Sequence, residues 1–171
     1  VVTMSTTALS TVPGAVNQVL YPSMTQKFGE GQTLRQLAYG YAKPIAASVA
    51  AVTPIVLFGW WLIGPVTRFL IPQYGDAVPA MQWALLLCPV ICFESAHALF
   101  YIGLRQGMRL IGTVAGVAAY TGSLFWLVRG GVYLAAFPQA MIIGRVVYVL
   151  VSYAFIYRMV TTERASFHRT G

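Results

Sequence analysis

Residues 44–67 read PIAASVAAVTPIVLFGWWLIGPVT, and no charged side chain occurs between Lys43 and Arg68. A helix needs about 20 apolar residues to cross the hydrocarbon core of a bilayer, and this segment exceeds that length. The whole chain is similarly poor in charge, because 58% of its residues are hydrophobic and 9% are charged. A soluble domain carries about 25% charged residues. The composition therefore predicts a membrane protein with several spans.

Four further segments resemble the first in length and apolar character. Strand periodicity is absent from all of them, so the predicted fold class is all-α, a polytopic membrane helix bundle of about five transmembrane helices. Two segments contain a charge at membrane depth, Glu94 in the third and Arg145 in the fifth. The five predicted spans are residues 1–21, 39–63, 78–102, 110–128 and 131–157.

The connections between these segments are short. Residues 22–38 form the longest one, and we predict an interfacial elbow that Gly29 and Gly31 break in two. The other connections are predicted to be a turn-rich loop and two tight turns between antiparallel neighbours, at residues 64–77, 103–109 and 129–131.

The basic residues indicate an orientation. The net charge of +7 would favour nucleic-acid binding in a soluble protein, but these residues lie between apolar runs, which is typical of cytoplasmic loops. A cytoplasmic 22–38 connection predicts a cytoplasmic C-terminus, a transmembrane part over 1–160 and a tail over 161–171. The opposite side then holds only Arg68 and Arg129. The cytoplasmic side holds Lys27, Arg35, Arg105, Arg109, Arg158, Arg164 and Arg169.

Three ionisable side chains are predicted to lie at membrane depth: Glu94, His97 and Arg145. Each costs roughly 2.5–3.5 kcal/mol by insertion scales, so each is expected to face a partner or a watery cavity. Glu94 and His97 share a helix face and are candidates for coupling to a proton or cation. The alternative is a structural ion pair between Glu94 and Arg145.

Two basic residues are candidates for substrate binding. Arg145 lies too deep to reach either membrane face easily, and its guanidinium could hold a phosphate in a cavity. Lys43 precedes Pro44 at the cytoplasmic end of the second span. It is either an interface anchor or a contact for an anionic lipid headgroup.

The other conspicuous residues favour structural roles. Cys88 and Cys92 have helical spacing in an apolar run and are interpreted as small buried hydrophobes, with no metal site. Gly112 and Gly116 predict close helix packing. No catalytic or nucleotide-binding motif occurs, so neither a catalytic residue nor a cofactor is predicted. Prolines within the spans permit bends; they are Pro13, Pro44, Pro54, Pro89 and Pro138.

The order of several short motifs resembles a known family. A span ends in Val-Leu-Tyr-Pro-Ser at 19–23, and another ends in Phe-Leu-Ile-Pro-Gln-Tyr-Gly-Asp-Ala at 69–77. Gly-Leu-Arg-Gln-Gly follows at 103–107, and Arg-Gly-Gly at 129–131. Over residues 8–160 this order resembles the C-terminal half of Wzx-type oligosaccharide flippases, polysaccharide-biosynthesis proteins of the multidrug/oligosaccharidyl-lipid/polysaccharide exporter superfamily.

The resemblance implies a twelve- to fourteen-helix fold, of which this chain is expected to supply the C-terminal lobe. Since the chain opens within apolar sequence at Val1, we expect a fragment without the N-terminal lobe. The implied function is to flip undecaprenyl-diphosphate-linked oligosaccharide across the bacterial inner membrane for O-antigen, capsule or exopolysaccharide synthesis. The implied partners are the lipid bilayer, the polyprenyl-diphosphate-linked glycan, a polysaccharide polymerase and glycosyltransferases, without nucleic acid.

Two other functions remain open from the residues. One is an ion-coupled multidrug or cation antiporter of the same superfamily. The other belongs to a different class, an intramembrane glycosyl- or acyl-transferase. For that enzyme Glu94 with His97 is the acid/base pair that the sequence offers, and the pair lies deep for access to water.

Overall fold

A computed structural model describes Gln18 and residues 21–97, 99–100 and 106–167. Within these residues every regular element is a helix and no strand occurs, which confirms the all-α prediction. Four helical segments of the described chain are long and apolar enough to cross a membrane. The first predicted span, residues 1–21, lies almost entirely outside the described residues.

The predicted elbow is a break between two helices. Residues 21–29 are helical, and the chain turns at Gly31, whose φ of 90° suits a residue without a side chain. Helix α1, Leu34–Leu70, then begins with a capping box. The Thr33 hydroxyl accepts from the Gln36 amide at 3.4 Å, and the Gln36 side-chain oxygen accepts from the Thr33 amide at 3.1 Å. These two bonds satisfy backbone donors that a helix start leaves free.

Helix α1 is longer than the predicted span. Its 37 residues correspond to about 55 Å, so both ends extend beyond a hydrocarbon core of roughly 30 Å. The predicted loop at 64–77 is wrong over 64–70, which are helical, and the 3₁₀ helix Pro72–Ala77 forms the rest. Each proline removes one helical hydrogen bond, but prolines are tolerated within membrane helices and α1 continues through them. The prolines inside α1 are Pro44, Pro54 and Pro65.

The third predicted span is interrupted. The span predicted over 78–102 is not continuous: its described part consists of α2, Val78–Leu85, then α3, Leu87–Phe93, and a 3₁₀ turn, Glu94–His97, after which residues 99–100 are again helical. The break at Leu86 has a cause in Pro89, which lacks the N–H that would donate to the Leu85 carbonyl in a continuous helix. The run Pro72–Phe93 is still long enough to cross a membrane.

The last two helices form an antiparallel pair. Helix α4, Gln106–Arg129, begins earlier than predicted, so residues 106–109 are helical and not a tight turn. Helix α5, Ala136–Phe167, begins after the predicted start at Gly131 and extends into the predicted tail. The turn after Arg129 is confirmed: Gly131 has a φ of 85°, and the Gly131 amide donates to the Val128 carbonyl at 3.1 Å. Residues 101–105 lie outside the described residues.

Small residues set the distance between α4 and α5. A Cβ on Gly116 would lie 2.9 Å from the Tyr148 Cβ and 3.0 Å from the Gly144 carbonyl oxygen. A Cβ on Gly112 would lie 3.1 Å from the Ser152 hydroxyl. The predicted close packing at Gly112 and Gly116 is therefore confirmed, and Gly144 supplies the matching contact from α5. The start of α4 consequently lies beside the C-terminal part of α5.

Among the described residues, the interior of the bundle holds two apolar clusters. One joins the start of α1 to the C-terminal part of α5, because Leu37 and Tyr41 share it with Ile156 and Met159. Cys88 and Cys92 pack in the second with Val52 and Val56, which confirms that both cysteines are buried. Other large apolar side chains point outward, as expected for contact with lipid; they include Ile55, Leu57, Phe58, Trp61, Leu110, Val114, Phe125 and Trp126.

Candidate functional site

The end of the interrupted span carries an ion pair to α5. The 3₁₀ turn presents Glu94 toward α5, where Nη1 of Arg145 donates to both carboxylate oxygens of Glu94 at 2.7 Å. The Arg145 side chain is 39% exposed and the Glu94 side chain 18%. The ion pair that the sequence left as an alternative is therefore formed, although Arg145 keeps access to open space.

That open space is a cavity of about 430 Å³ between α4, α5 and the 3₁₀ turn. It contains the Glu94–Arg145 pair together with polar, aromatic and small side chains. The lining residues are Glu94, His97, Arg109, Thr113, Gly116, Val117, Tyr120, Met141, Gly144, Arg145 and Tyr148. The structure thus brings three of the four predicted site residues together.

His97 lies in the same cavity beside an aromatic ring. Its imidazole centroid is 4.6 Å from that of Tyr148, with the two planes inclined by 41°. Tyr148 also packs against Gly112 and Gly116. The close approach of α4 and α5 therefore fixes Tyr148, and Tyr148 in turn contacts the imidazole.

The sequence prediction missed Arg109 as a cavity residue. It was assigned to a cytoplasmic turn, but α4 begins at Gln106 and Arg109 lines the cavity from the first turn of that helix. A signal was present, because Arg109, Thr113 and Gly116 follow one another at intervals of four and three residues, which places them on one helix face.

Arg109 and Arg145 lie at different depths. Gly144 of α5 packs against Gly116 of α4. The neighbouring Arg145 therefore lies at a level of the bundle about two helical turns from that of Arg109, measured along α4. The cavity therefore extends from the basic end of α4 toward the interior of the bundle.

Lys43 lies elsewhere in the structure. It is exposed on α1 and does not line the cavity. The structure consequently separates the two predicted substrate-binding residues, Lys43 and Arg145. The position of Lys43, near the start of α1, is compatible with an interface anchor.

The charges in the cavity favour an anionic ligand. Among the lining residues that the structure describes, the guanidinium groups of Arg109 and Arg145 lie in the same cavity as one carboxylate, that of Glu94. A guanidinium binds phosphate and carboxylate groups through several N–H donors in one plane. The described lining residues therefore include more positively than negatively charged side chains. An ionisable cluster inside a membrane helix bundle is a candidate for a transport pathway.

No protein-family model, curated protein or solved structure matches this chain.

Proposed function

We propose that this chain is part of a bacterial inner-membrane transporter that flips undecaprenyl-diphosphate-linked oligosaccharide toward the outer leaflet. The observation that carries the proposal is the cavity between α4, α5 and the 3₁₀ turn, in which Arg109 and Arg145 face Glu94. A charged cavity is costly inside a bilayer, so it implies a polar ligand or ion that uses it.

The chemistry of such a substrate fits the arrangement. A lipid-linked glycan combines an apolar tail, a diphosphate and a sugar chain. The guanidinium groups of Arg109 and Arg145 would bind the diphosphate. Thr113, Tyr120 and Tyr148 offer hydroxyl groups to the sugar, while the tail stays in lipid. The proposed activity is movement of the substrate, without a chemical step.

The arrangement of basic residues supports an orientation with the C-terminus in the cytoplasm. Arg35, Arg109 and Arg158 belong to the start of α1, the start of α4 and the C-terminal part of α5. These helix ends lie on the same side of the bundle, since α1 and α5 share an apolar cluster there and α4 is antiparallel to α5. Lys and Arg are enriched on the cytoplasmic side of membrane proteins.

One observation favours a second candidate, a cation or drug antiporter. The Glu94 carboxylate lies in a cavity with the aromatic rings of Tyr120 and Tyr148, and such rings attract organic cations. In that function Glu94 and His97 would exchange a proton for the cation. The two candidates differ in which charge the substrate carries.

The test is rescue of glycan export in cells that lack their own flippase. Arg145→Ala in the full-length protein is expected to lower export without loss of folded protein, because the deep phosphate contact is removed. Arg158→Ala is the matched control, since Arg158 lies exposed on the same helix outside the cavity. Unchanged export by Arg145→Ala would contradict the proposal. Drug efflux that depends on Glu94, without glycan export, would establish the antiporter instead.

A further inference from the structure

We infer that Glu94 is an exchangeable counter-anion, which binds Arg145 when no ligand is bound and releases it to the phosphate of an incoming anionic ligand. The inference rests on the proposed function and concerns the same site. It assigns to Glu94 a part in ligand exchange, whereas an ion-coupling residue would carry the transported proton or cation.

The geometry of the pair indicates a replaceable contact. Both Glu94 oxygens accept from a single nitrogen, Nη1 of Arg145. A guanidinium has five N–H donors, so Nε and Nη2 of Arg145 retain three that make no bond within the described part of the chain. Because 39% of its side chain is exposed, Arg145 can contact a phosphate before its hydrogen bonds to Glu94 break.

The carboxylate is carried by an element that can rearrange. Glu94 begins a four-residue 3₁₀ turn rather than lying within an α-helix. Hydrogen-bond geometry in 3₁₀ helices is poorer than in α-helices, and such interruptions often mark hinges. The turn follows a span that is already broken at Leu86.

The charge balance gives Glu94 a reason to be present in the empty state. Without its carboxylate, the guanidinium group of Arg145 would lose the ion-pair partner that it has in the cavity. A bound phosphate supplies the same neutralisation. Glu94 and the ligand therefore compete for Arg145, so the carboxylate lowers ligand affinity and promotes ligand release.

The experiment measures binding of inorganic pyrophosphate to the purified full-length protein in detergent, by calorimetry. Glu94→Gln removes the competing charge with little change in size, and we expect its dissociation constant to fall about tenfold because Arg145 no longer has to leave a charged partner. Glu30→Gln is the matched control, since Glu30 is exposed and does not line the cavity. Its affinity should equal that of the native protein.

Two further measurements on Glu94 variants support the binding experiment. Glu94→Asp keeps the charge but shortens the side chain, and it should bind with intermediate affinity; it decides the question if Glu94→Gln does not fold. We also expect slower glycan export by Glu94→Gln, because release of the ligand becomes harder.

The outcomes separate the inference from the proposed function. Equal pyrophosphate affinity in the native protein and Glu94→Gln, or no binding by either, overturns the competition. Tighter pyrophosphate binding by Glu94→Gln supports the competition if adding Arg145→Ala to this variant abolishes the gain in affinity. If that tighter binding is found but glycan export is unaffected by Arg145→Ala, the counter-anion stands and the flippase proposal falls.

Discussion

Replacing Gly144 with alanine tests the packing that builds the cavity. A Cβ at this position would lie 2.7 Å from the Tyr120 Cβ and 2.8 Å from the Gly116 carbonyl oxygen. Neither atom can rotate away, because one is backbone and the other is fixed to it. The added methyl group must therefore push α4 and α5 apart.

The required displacement and its cost follow from these distances. To reach a contact of 3.4 Å, the two helices must separate locally by roughly 0.6–0.7 Å, and overpacking of this kind costs about 1–3 kcal/mol. Helix association in a bilayer depends on such close contacts between small residues, so we expect the upper part of this range. The separation would also displace Tyr148 from His97.

The assay is unfolding of the full-length protein in mixed detergent micelles, followed by circular dichroism. Gly122→Ala is the control, because Gly122 lies on the partner helix α4 and its added Cβ would meet nothing within 4 Å. The control should be neutral or stabilising by up to about 1 kcal/mol, as alanine favours helices. If Gly144→Ala is as stable as Gly122→Ala, the described approach of α4 and α5 is wrong.

Three further predictions concern the interior of the bundle. The Tyr41 hydroxyl is buried without a hydrogen-bond partner among the described residues, so Tyr41→Phe should leave unfolding free energy unchanged or raise it by up to about 1 kcal/mol; a clear loss would reveal a missing partner. Because Cys88 and Cys92 are buried, N-ethylmaleimide should label neither in the folded protein and both in denaturing detergent, and labelling of the folded protein would contradict the second cluster. Glu94→Arg and Arg145→Glu should each lower the yield of monodisperse protein in gel filtration, and the double swap should restore part of it. The free energy of unfolding lost in each single variant should stay below the roughly 3–5 kcal/mol of fully buried pairs, because Arg145 is 39% exposed. No recovery in the double swap would mean that the two side chains do not pair.

Apolar length predicted the helices well, but their ends poorly. The cores of α1, α4 and α5 lie where uncharged runs predicted them. Gly64 and Pro65 predict an end of α1 near residue 64, yet this helix continues to Leu70, because glycine and proline can be tolerated within membrane helices. The sequence indicates a bend at Pro89, but it does not show that the span breaks at Leu86 and contains a 3₁₀ turn over Glu94–His97.

The same difference between helix cores and helix ends explains which residues of the candidate site the sequence predicts. Glu94 and Arg145 were identifiable because deep charges are costly and seek partners. Arg109 was missed because the start of α4 was placed too late, which assigned this residue to a loop. Lys43 was grouped with Arg145 by charge alone, and only the packing of α1 shows that it lies outside the cavity. Residue type therefore predicted the ion pair, whereas membership of the cavity depended on helix ends and register.

The proposed function requires a water-accessible cavity inside a lipid-facing helix bundle, and cysteine accessibility on α4 tests this most directly. Thr113 lines the cavity, while the adjacent Val114 is 61% exposed on an outer face. In membranes, a charged methanethiosulfonate reagent should modify Thr113→Cys but not Val114→Cys, with the native protein as the unreactive reference. Modification of both would contradict burial in lipid, and modification of neither would contradict the cavity.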